Sequence, residues 1–395
     1  MELLAPVGNR NMLTAAVEAG CDAVYFGIQG MNMRAAASNF SLEELPEIID
    51  YCHKKNIKAY CAVNIIIYEK ELEQLKTTLQ KLKEANINAI ICWDFAVVKL
   101  AKELGLDIHL STQASVSNSQ SALFWKEQGI SRVVLARECS IEDIKEIKEK
   151  TGMEIEVFVH GARCISYSGR CFMSQELFDK SANRGECLQP CRREYKVIDE
   201  EGKEMIMENN FIMSAKDLCA LPLLPQLQHI DCLKIEGRNR GAHYVSVVVS
   251  AYREALNAIK NNTFTKELVD KLTEKLKTVY NKDFSTGFLI DYPHHQRSNL
   301  YGSKATTQKI QLGKVSNFYN KIGVAEFKVE TDSFSLGDKL AFEGPTTGYV
   351  EVIVEEIHTD AGKVKTASKG NLISVKVPEK VRENDKVFLV KERNS

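Results

Sequence analysis

Short, almost unbroken apolar runs alternate with amphipathic stretches along the first two thirds of the chain. The runs fall at 3–7, 23–28, 59–65, 89–93, 108–112, 133–136, 155–159 and 232–235. Each is short and bounded by turn residues, which predicts a buried strand. Between them the apolar positions recur with helical period. Helices are expected at 12–19, at 95–104, at 122–128, and where Leu72, Leu75, Leu79 and Leu82 share a face. Ser41 and Glu44 read as a capping box, and Ser140 caps a helix that turns Ile141, Ile144 and Ile147 inward. Further helices are expected at 217–227, 244–259 and 266–281, and a hairpin at 195–198 with 211–213.

Eight strand–helix units with near-continuous apolar strands predict a parallel sheet covered by helices, in the count of a closed (β/α)8 TIM-barrel-like domain. An open doubly wound sheet is the alternative, but no G-x-G-x-x-G follows the first strand. The barrel is expected to occupy 1–290, with a linker at 291–305. From 306 to 395 the period changes to short alternating runs separated by Gly, Asp and Pro turns. That predicts a small all-β barrel of five or six strands, an accessory to RNA or substrate binding.

One stretch has no period. Residues 160–195 read HGARCISYSGRCFMSQELFDKSANRGECLQPCRREY, with Cys164, Cys171, Cys187 and Cys191 spaced C-x6-C-x15-C-x3-C. An aperiodic insertion of this length inside a compact domain is ordinarily functional. Iron–sulfur ligation, zinc and plain buried thiols all remain open, since zinc knuckles keep their paired cysteines closer than the first pair here. The chain has 11 cysteines, an odd number, and no signal-peptide pattern at its start. Reduced thiols in a cytoplasmic protein are therefore expected over a disulfide framework. No apolar run is long enough to span a bilayer, so no membrane partner is expected. The formal net charge of −1 leaves no global attraction for nucleic acid, so any RNA contact must be local.

In a barrel, reactive groups come from the C-terminal strand ends and the loops after them. Those positions carry Asn32, Arg34 and Asn39; Asn64; Trp93 and Asp94; Ser111, Thr112 and Gln113; Arg137; His160; and Glu236 with Arg238. Glu236 and Arg238 stand two apart on one strand and so face the same side. His160, four residues before the first cysteine, is a candidate general acid/base or a donor to whatever the cysteines hold. Arg34, Arg137 and Arg238 suit an anionic ligand, with Asn64 and Gln113 as further binding candidates. Arg170, Arg184, Arg192 and Arg193 give the cysteine segment a basic flank where an RNA backbone could dock.

ELLAPVGN, DAVYFG, STQAS, HGARCISYSGRC, CxxxCRREY and KIEGRNR, in that order, resemble the collagenase-like peptidase family, peptidase U32. The better understood members of that family resemble RNA and quinone hydroxylation factors carrying a 4Fe-4S cluster. The pattern is nearest the branch that makes 5-hydroxyuridine at the wobble position of tRNA and depends on prephenate. The resemblance implies Cys164, Cys171, Cys187 and Cys191 as cluster ligands, with Cys219 and Cys232 in reserve. It also implies tRNA as partner, a small anionic co-substrate and an unidentified electron or oxygen-transfer partner; Glu236, Arg238 and His160, from their places at the strand ends, are the catalytic candidates. Alternatives are a U32-type peptidase, hydroxylation of another RNA or a quinone precursor, and a non-enzymatic iron–sulfur RNA-binding scaffold. The chain has no H-E-x-x-H and no G-x-S-x-G to support hydrolysis.

Overall fold

A computed structural model describes residues 1–35, 37–205, 211–292 and 296–393. Eight parallel strands close into a barrel. They are β1 (Glu2–Pro6), β2 (Ala23–Gly27), β3 (Lys58–Ala62), β4 (Ala89–Cys92), β5 (Ile108–Leu110), β6 (Arg132–Val134), β7 (Glu154–Gly161) and an eighth strand, Cys232–Ile235. Neighbours pair in sequence order, and the eighth strand pairs with both β7 and β1 to close the ring. Alternation along the strands divides the side chains into two layers. Leu3, Ala5, Val24, Phe26, Cys61 and Ile90 pack outward under the helices, while Leu4, Tyr25, Tyr60, Ala62 and Ile91 fill the barrel.

The inside also holds charge. Arg132 pairs with Glu2 at 2.6 Å and Glu156 at 3.4 Å, and Lys234 pairs with Glu156 at 2.7 Å. Buried carboxylates and cations are tolerable there because each has a partner.

The helices follow their sequence signals. Helix α1 (Arg10–Glu18) is capped by Asn9, whose side chain accepts from Met12 N, and Ser140 and Asp143 form a full capping box on the helix Ile141–Thr151. At Ser41 only half the expected box forms. Glu44 accepts from Ser41 N at 2.9 Å, but the helix starts at Leu45, with Pro46 in its first turn.

Two expectations fail. The helix at 217–227 is instead a strand, Asp217–Cys219, followed by a 3-10 turn, Leu221–Leu227. Pro222 and Pro225 remove amide donors there, so an α-helical ladder cannot form. The strand runs antiparallel to β7 outside the ring, pairing His160 with Cys219. The hairpin differs too. Residues 197–199 pair with 203–205, through the Ile198–Glu204 bridge and Met205 N to Val197 O at 2.8 Å, while 211–213 form no strand. Residues 206–210 between them lie outside those described.

Beyond the barrel, part of the expected linker lies outside the described residues, at 293–295. The remainder packs on the barrel, with Ser298 fully buried and its amide donating to Ser214 O at 2.7 Å. The C-terminal region is an antiparallel sheet of eight strands, more than expected, built around the long bulged strand Thr307–Tyr319. It has its own core, including Leu312, Phe327, Phe342 and Leu389. It rests on the outer helices. Gly348 lies so close to Ala15 that a Cβ would come within 2.8 Å of its amide nitrogen, and the His243 ring stacks on Tyr349 at 4.5 Å.

Candidate functional site at the barrel mouth

The C-terminal strand ends and the cysteine segment enclose a cleft of about 1300 Å³, open to solvent. Arg34, Asn64, Gln113, Arg137, Glu236 and Arg238, drawn from five strand ends, all line it, as do Cys164, Cys171, Cys187 and Cys191. Lys234, Arg163 and Arg192 line it too. Lys234 precedes Glu236 by two residues, so the strand's period of two could have identified it. Arg163 lacked any such signal.

The lining is strongly cationic. It carries Arg34, Arg137, Arg163, Arg192, Lys234 and Arg238 against a single carboxylate, Glu236. Burial would raise the Glu236 pKa, but Arg34, Arg238, Arg137 and Lys234 overcome it and hold the carboxyl at about 2. Glu236 is therefore an anion at any physiological pH. Its direct partner is Arg34, with Nη2–Oε1 at 3.2 Å and Nε–Oε1 at 3.3 Å. Arg238 donates to Asn32 Oδ1 at 3.1 Å, and its Nε has no hydrogen-bond partner among the described residues. Arg137 lies over the Phe158 ring at 4.3 Å. Lys234 is held by Glu156 and sits 4.4 Å from the centre of the Tyr25 ring. On the opposite wall Asn64 donates to Gln113 Oε1 at 3.0 Å, Ser111 Oγ donates to the same oxygen at 3.2 Å, and Asn64 Oδ1 accepts from Met33 N. The amides are thereby fixed in orientation.

The cysteine segment is pinned by side chains that sequence reasoning assigned to a basic flank. Arg184 turns in to Glu71, at 2.5 and 3.0 Å, and to the Ile66 carbonyl. Arg192 is buried and donates to the carbonyls of Ala215 and, at 2.9 Å, Arg163. Gly185 fits against the loop after β2, where its carbonyl accepts from Ala35 N at 3.0 Å. Arg170 and Arg193 stay exposed, each over an aromatic ring, Trp93 and Phe178 respectively.

Two of the sulfurs accept backbone amides two residues on, Cys171 from Met173 N at 3.3 Å and Cys187 from Gln189 N at 3.4 Å. Burial pushes the Cys191 thiol up to about 11 and raises Cys187; in both cases the other cysteines of the segment add to the rise, so their charges are mutually felt. Among the described residues no three His, Cys, Asp or Glu side chains gather as a site for a metal ion. Cys219 and Cys232 do not line the cleft: both are buried, Cys219 beside the Tyr252 hydroxyl and Cys232 inside the barrel.

His160 is placed differently from the other candidates. It is absent from the cleft lining and 2 % exposed, ringed by Tyr244, Tyr252 and Phe284. Its Nδ1 is 3.4 Å from the Tyr252 hydroxyl, and burial drops its pKa to about 3. Its ring lines a smaller cavity next to the cleft, which shares Arg137, Arg163 and Glu236 with it.

The sequence profile of Peptidase family U32 matches residues 8–299. The chain belongs to peptidase family U32. Family relatives carry two kinds of name. A "Collagenase" of Porphyromonas gingivalis is 40% identical over 98% of this chain and 97% of its own length. "tRNA hydroxylation protein P1" of Bacillus subtilis is 36% identical over 95% and 91%. "23S rRNA 5-hydroxycytidine C2501 synthase" of Escherichia coli is 34% identical over 66% of this chain and 40% of its own. No described helix is long and apolar enough to cross a membrane.

Proposed function

We propose that this U32 protein is an RNA hydroxylase that converts wobble uridine of tRNA to 5-hydroxyuridine, using a 4Fe-4S cluster and a small anionic co-substrate such as prephenate. The observation that carries this reading is the cleft itself. Four cysteines from one segment share it with six cationic side chains and one carboxylate. Relatives with RNA-hydroxylation names, similar over much or nearly all of this chain, supply the reaction class.

Cys164, Cys171, Cys187 and Cys191 would hold the cluster, which supplies one-electron redox chemistry when bound. A cube offers its thiolates separate corners, so the ligands need not converge on one point as they must for zinc. The amides on Cys171 and Cys187 suit anionic sulfur. The chain's own residues do the binding and positioning. Arg137 and Arg238, which pair with no carboxylate among the described residues, offer guanidinium forks to a carboxylate. Glu236, fixed as an anion, holds Arg34 in place and accepts hydrogen bonds; it has no proton to give. The fixed amides of Asn64 and Gln113 give the opposite wall a polar face for a base or co-substrate.

A peptidase is the second reading, favoured by the collagenase-named relative. The residues give it less support. Among the described residues no histidine lines the cleft beside the four thiols to take a proton from one of them.

The deciding experiment is nucleoside analysis of tRNA from a deletion strain complemented with wild type or Glu236→Ala, alongside iron content of the anaerobically purified proteins. Loss of 5-hydroxyuridine on deletion, restored only by wild type, supports the reading. An unchanged nucleoside profile with redundant enzymes removed overturns it.

A further inference from the structure

The rim of the cleft carries an unusual number of exposed rings. Within the cysteine segment Ser166, Ser168, Gly169 and Cys171 line the cleft, while Tyr167 and Phe172 between and beside them are 57 % and 68 % exposed. Neither ring stacks on another aromatic side chain among the described contacts. Around the same mouth, Tyr68 follows β3 and is 49 % exposed, and Phe95, 69 % exposed, follows the end of β4. Exposed apolar rings are costly to leave in water unless something covers them, and a contiguous set of them marks a binding surface.

Charge narrows what that something is. The Arg170 guanidinium, which donates to the Gln113 carbonyl, lies 4.5 Å from the Trp93 ring centre, and Arg184, paired with Glu71, lies 5.0 Å from that of Tyr68. Cations interleaved with aromatic faces suit a ligand that is anionic along its backbone and flat in its side groups. A duplex hides its base faces in the stack, whereas a single-stranded loop exposes them.

We propose that Tyr167 and Phe172, with Arg170 between them in sequence, form a stacking platform that takes unstacked bases of a single-stranded RNA loop next to the one in the cleft. The platform rests on the RNA reading above but extends it, since it assigns loop-versus-duplex selection to named residues that touch neither the cysteines' ligand nor the reacting base. Exposure divides the segment: Ser166, Ser168, Gly169 and Cys171 line the cleft, while the rings of Tyr167 and Phe172 stand in solvent.

The test is fluorescence anisotropy of the anaerobically purified protein with a labelled hairpin RNA bearing a seven-nucleotide loop, a duplex of equal length, and gelatin peptide. Iron is assayed on every sample. Tyr167→Ala and Phe172→Ala should each weaken hairpin binding about five-fold or more, the loss expected for one base stack. Tyr167→Phe should bind as wild type, and duplex should bind weakly throughout. Hairpin binding unchanged in both alanine variants at wild-type iron content overturns the platform, as does equal affinity for duplex. Gelatin peptide bound through the same residues, with no RNA binding, overturns it in favour of a protein ligand. Failure of the hydroxylase reading is separable: it would leave platform binding intact while deletion spares 5-hydroxyuridine.

Discussion

Arg34 and Glu236 meet at the mouth of the barrel, Nη2 to Oε1 at 3.2 Å, joining the loop after β2 to the end of the eighth strand. The carboxylate is 10 % exposed and the guanidinium 31 % exposed, so the pair is largely out of water on one side only. Glu236→Gln removes the anion and leaves Arg34, Arg238, Arg137 and Lys234 repelling one another. A loss of about 2 kcal/mol is expected, below that of a fully buried pair because Arg34 remains partly solvated. Urea denaturation of the two proteins at pH 7 measures it, and 5-hydroxyuridine formation should fall with iron content unchanged.

The same carboxyl sets an acid limb. Its folded pKa of about 2 lies below the ordinary glutamate value of 4.5, so the unfolded chain takes up its proton first as pH falls. The stabilisation is complete above about pH 4.5 and is lost between there and about pH 2. Wild-type stability should therefore decline over that window more steeply than that of Glu236→Gln. Equal slopes would mean that the arginines do not hold Glu236 as described.

His160 has the same sign at higher pH. Its folded pKa of about 3 lies below the ordinary 6.5, so the contribution is present above about pH 6.5 and is lost as pH falls toward 3. NMR of ring-labelled protein should find this imidazole neutral at pH 5. A group that does not titrate between pH 5 and 8 should also leave no inflection in the pH–rate profile, and His160→Gln should cost stability more than it alters that profile.

Much of the barrel was legible because its signal is local: an apolar strand followed by a helix of period 3.6, eight times. In the 217–227 stretch the leucines keep a helical spacing, but Pro222 and Pro225 forbid the hydrogen bonds that an α-helix needs. Strand-end reasoning located Arg34, Asn64, Gln113, Arg137, Glu236 and Arg238 at one mouth. It could not tell that His160, also at a strand end, would be buried among rings, because that depends on Tyr244, Tyr252 and Phe284 arriving from distant sequence. Nor could composition show that Arg170, Arg184 and Arg192 tie the segment to its surroundings, through the carbonyl of Gln113, the carboxylate of Glu71 and the carbonyl of Ala215.

The cysteines divide by location. Cys164→Ala should abolish bound iron, whereas Cys219→Ala should retain it, since Cys219 is 5 % exposed beside Tyr252 and absent from the cleft lining. Iron and acid-labile sulfide assays on both proteins distinguish the sets. Iron retained by Cys164→Ala, or lost from Cys219→Ala with the fold intact by circular dichroism, would contradict the assignment of ligands.

Gly185 controls how the cysteine segment seats. Its φ is +89°, and a Cβ there would stand 2.5 Å from the Asn32 carbonyl oxygen and 2.9 Å from Ala35 N, backbone atoms that cannot step aside. Gly185→Ala should thus lift the segment off the loop after β2, beyond the roughly 1 kcal/mol that a left-handed residue costs alone. Gly169→Ala is the control, because φ is +80° but nothing lies within 4 Å of its Cβ position. Limited proteolysis should cut Gly185→Ala within 160–205 far faster than wild type or Gly169→Ala. The thermal midpoint of the barrel should move little, since the ring of strands closes without this segment. Equal cleavage of the two variants would mean that the contact with Asn32 does not fasten the segment, and that Arg184 and Arg192 suffice to hold it.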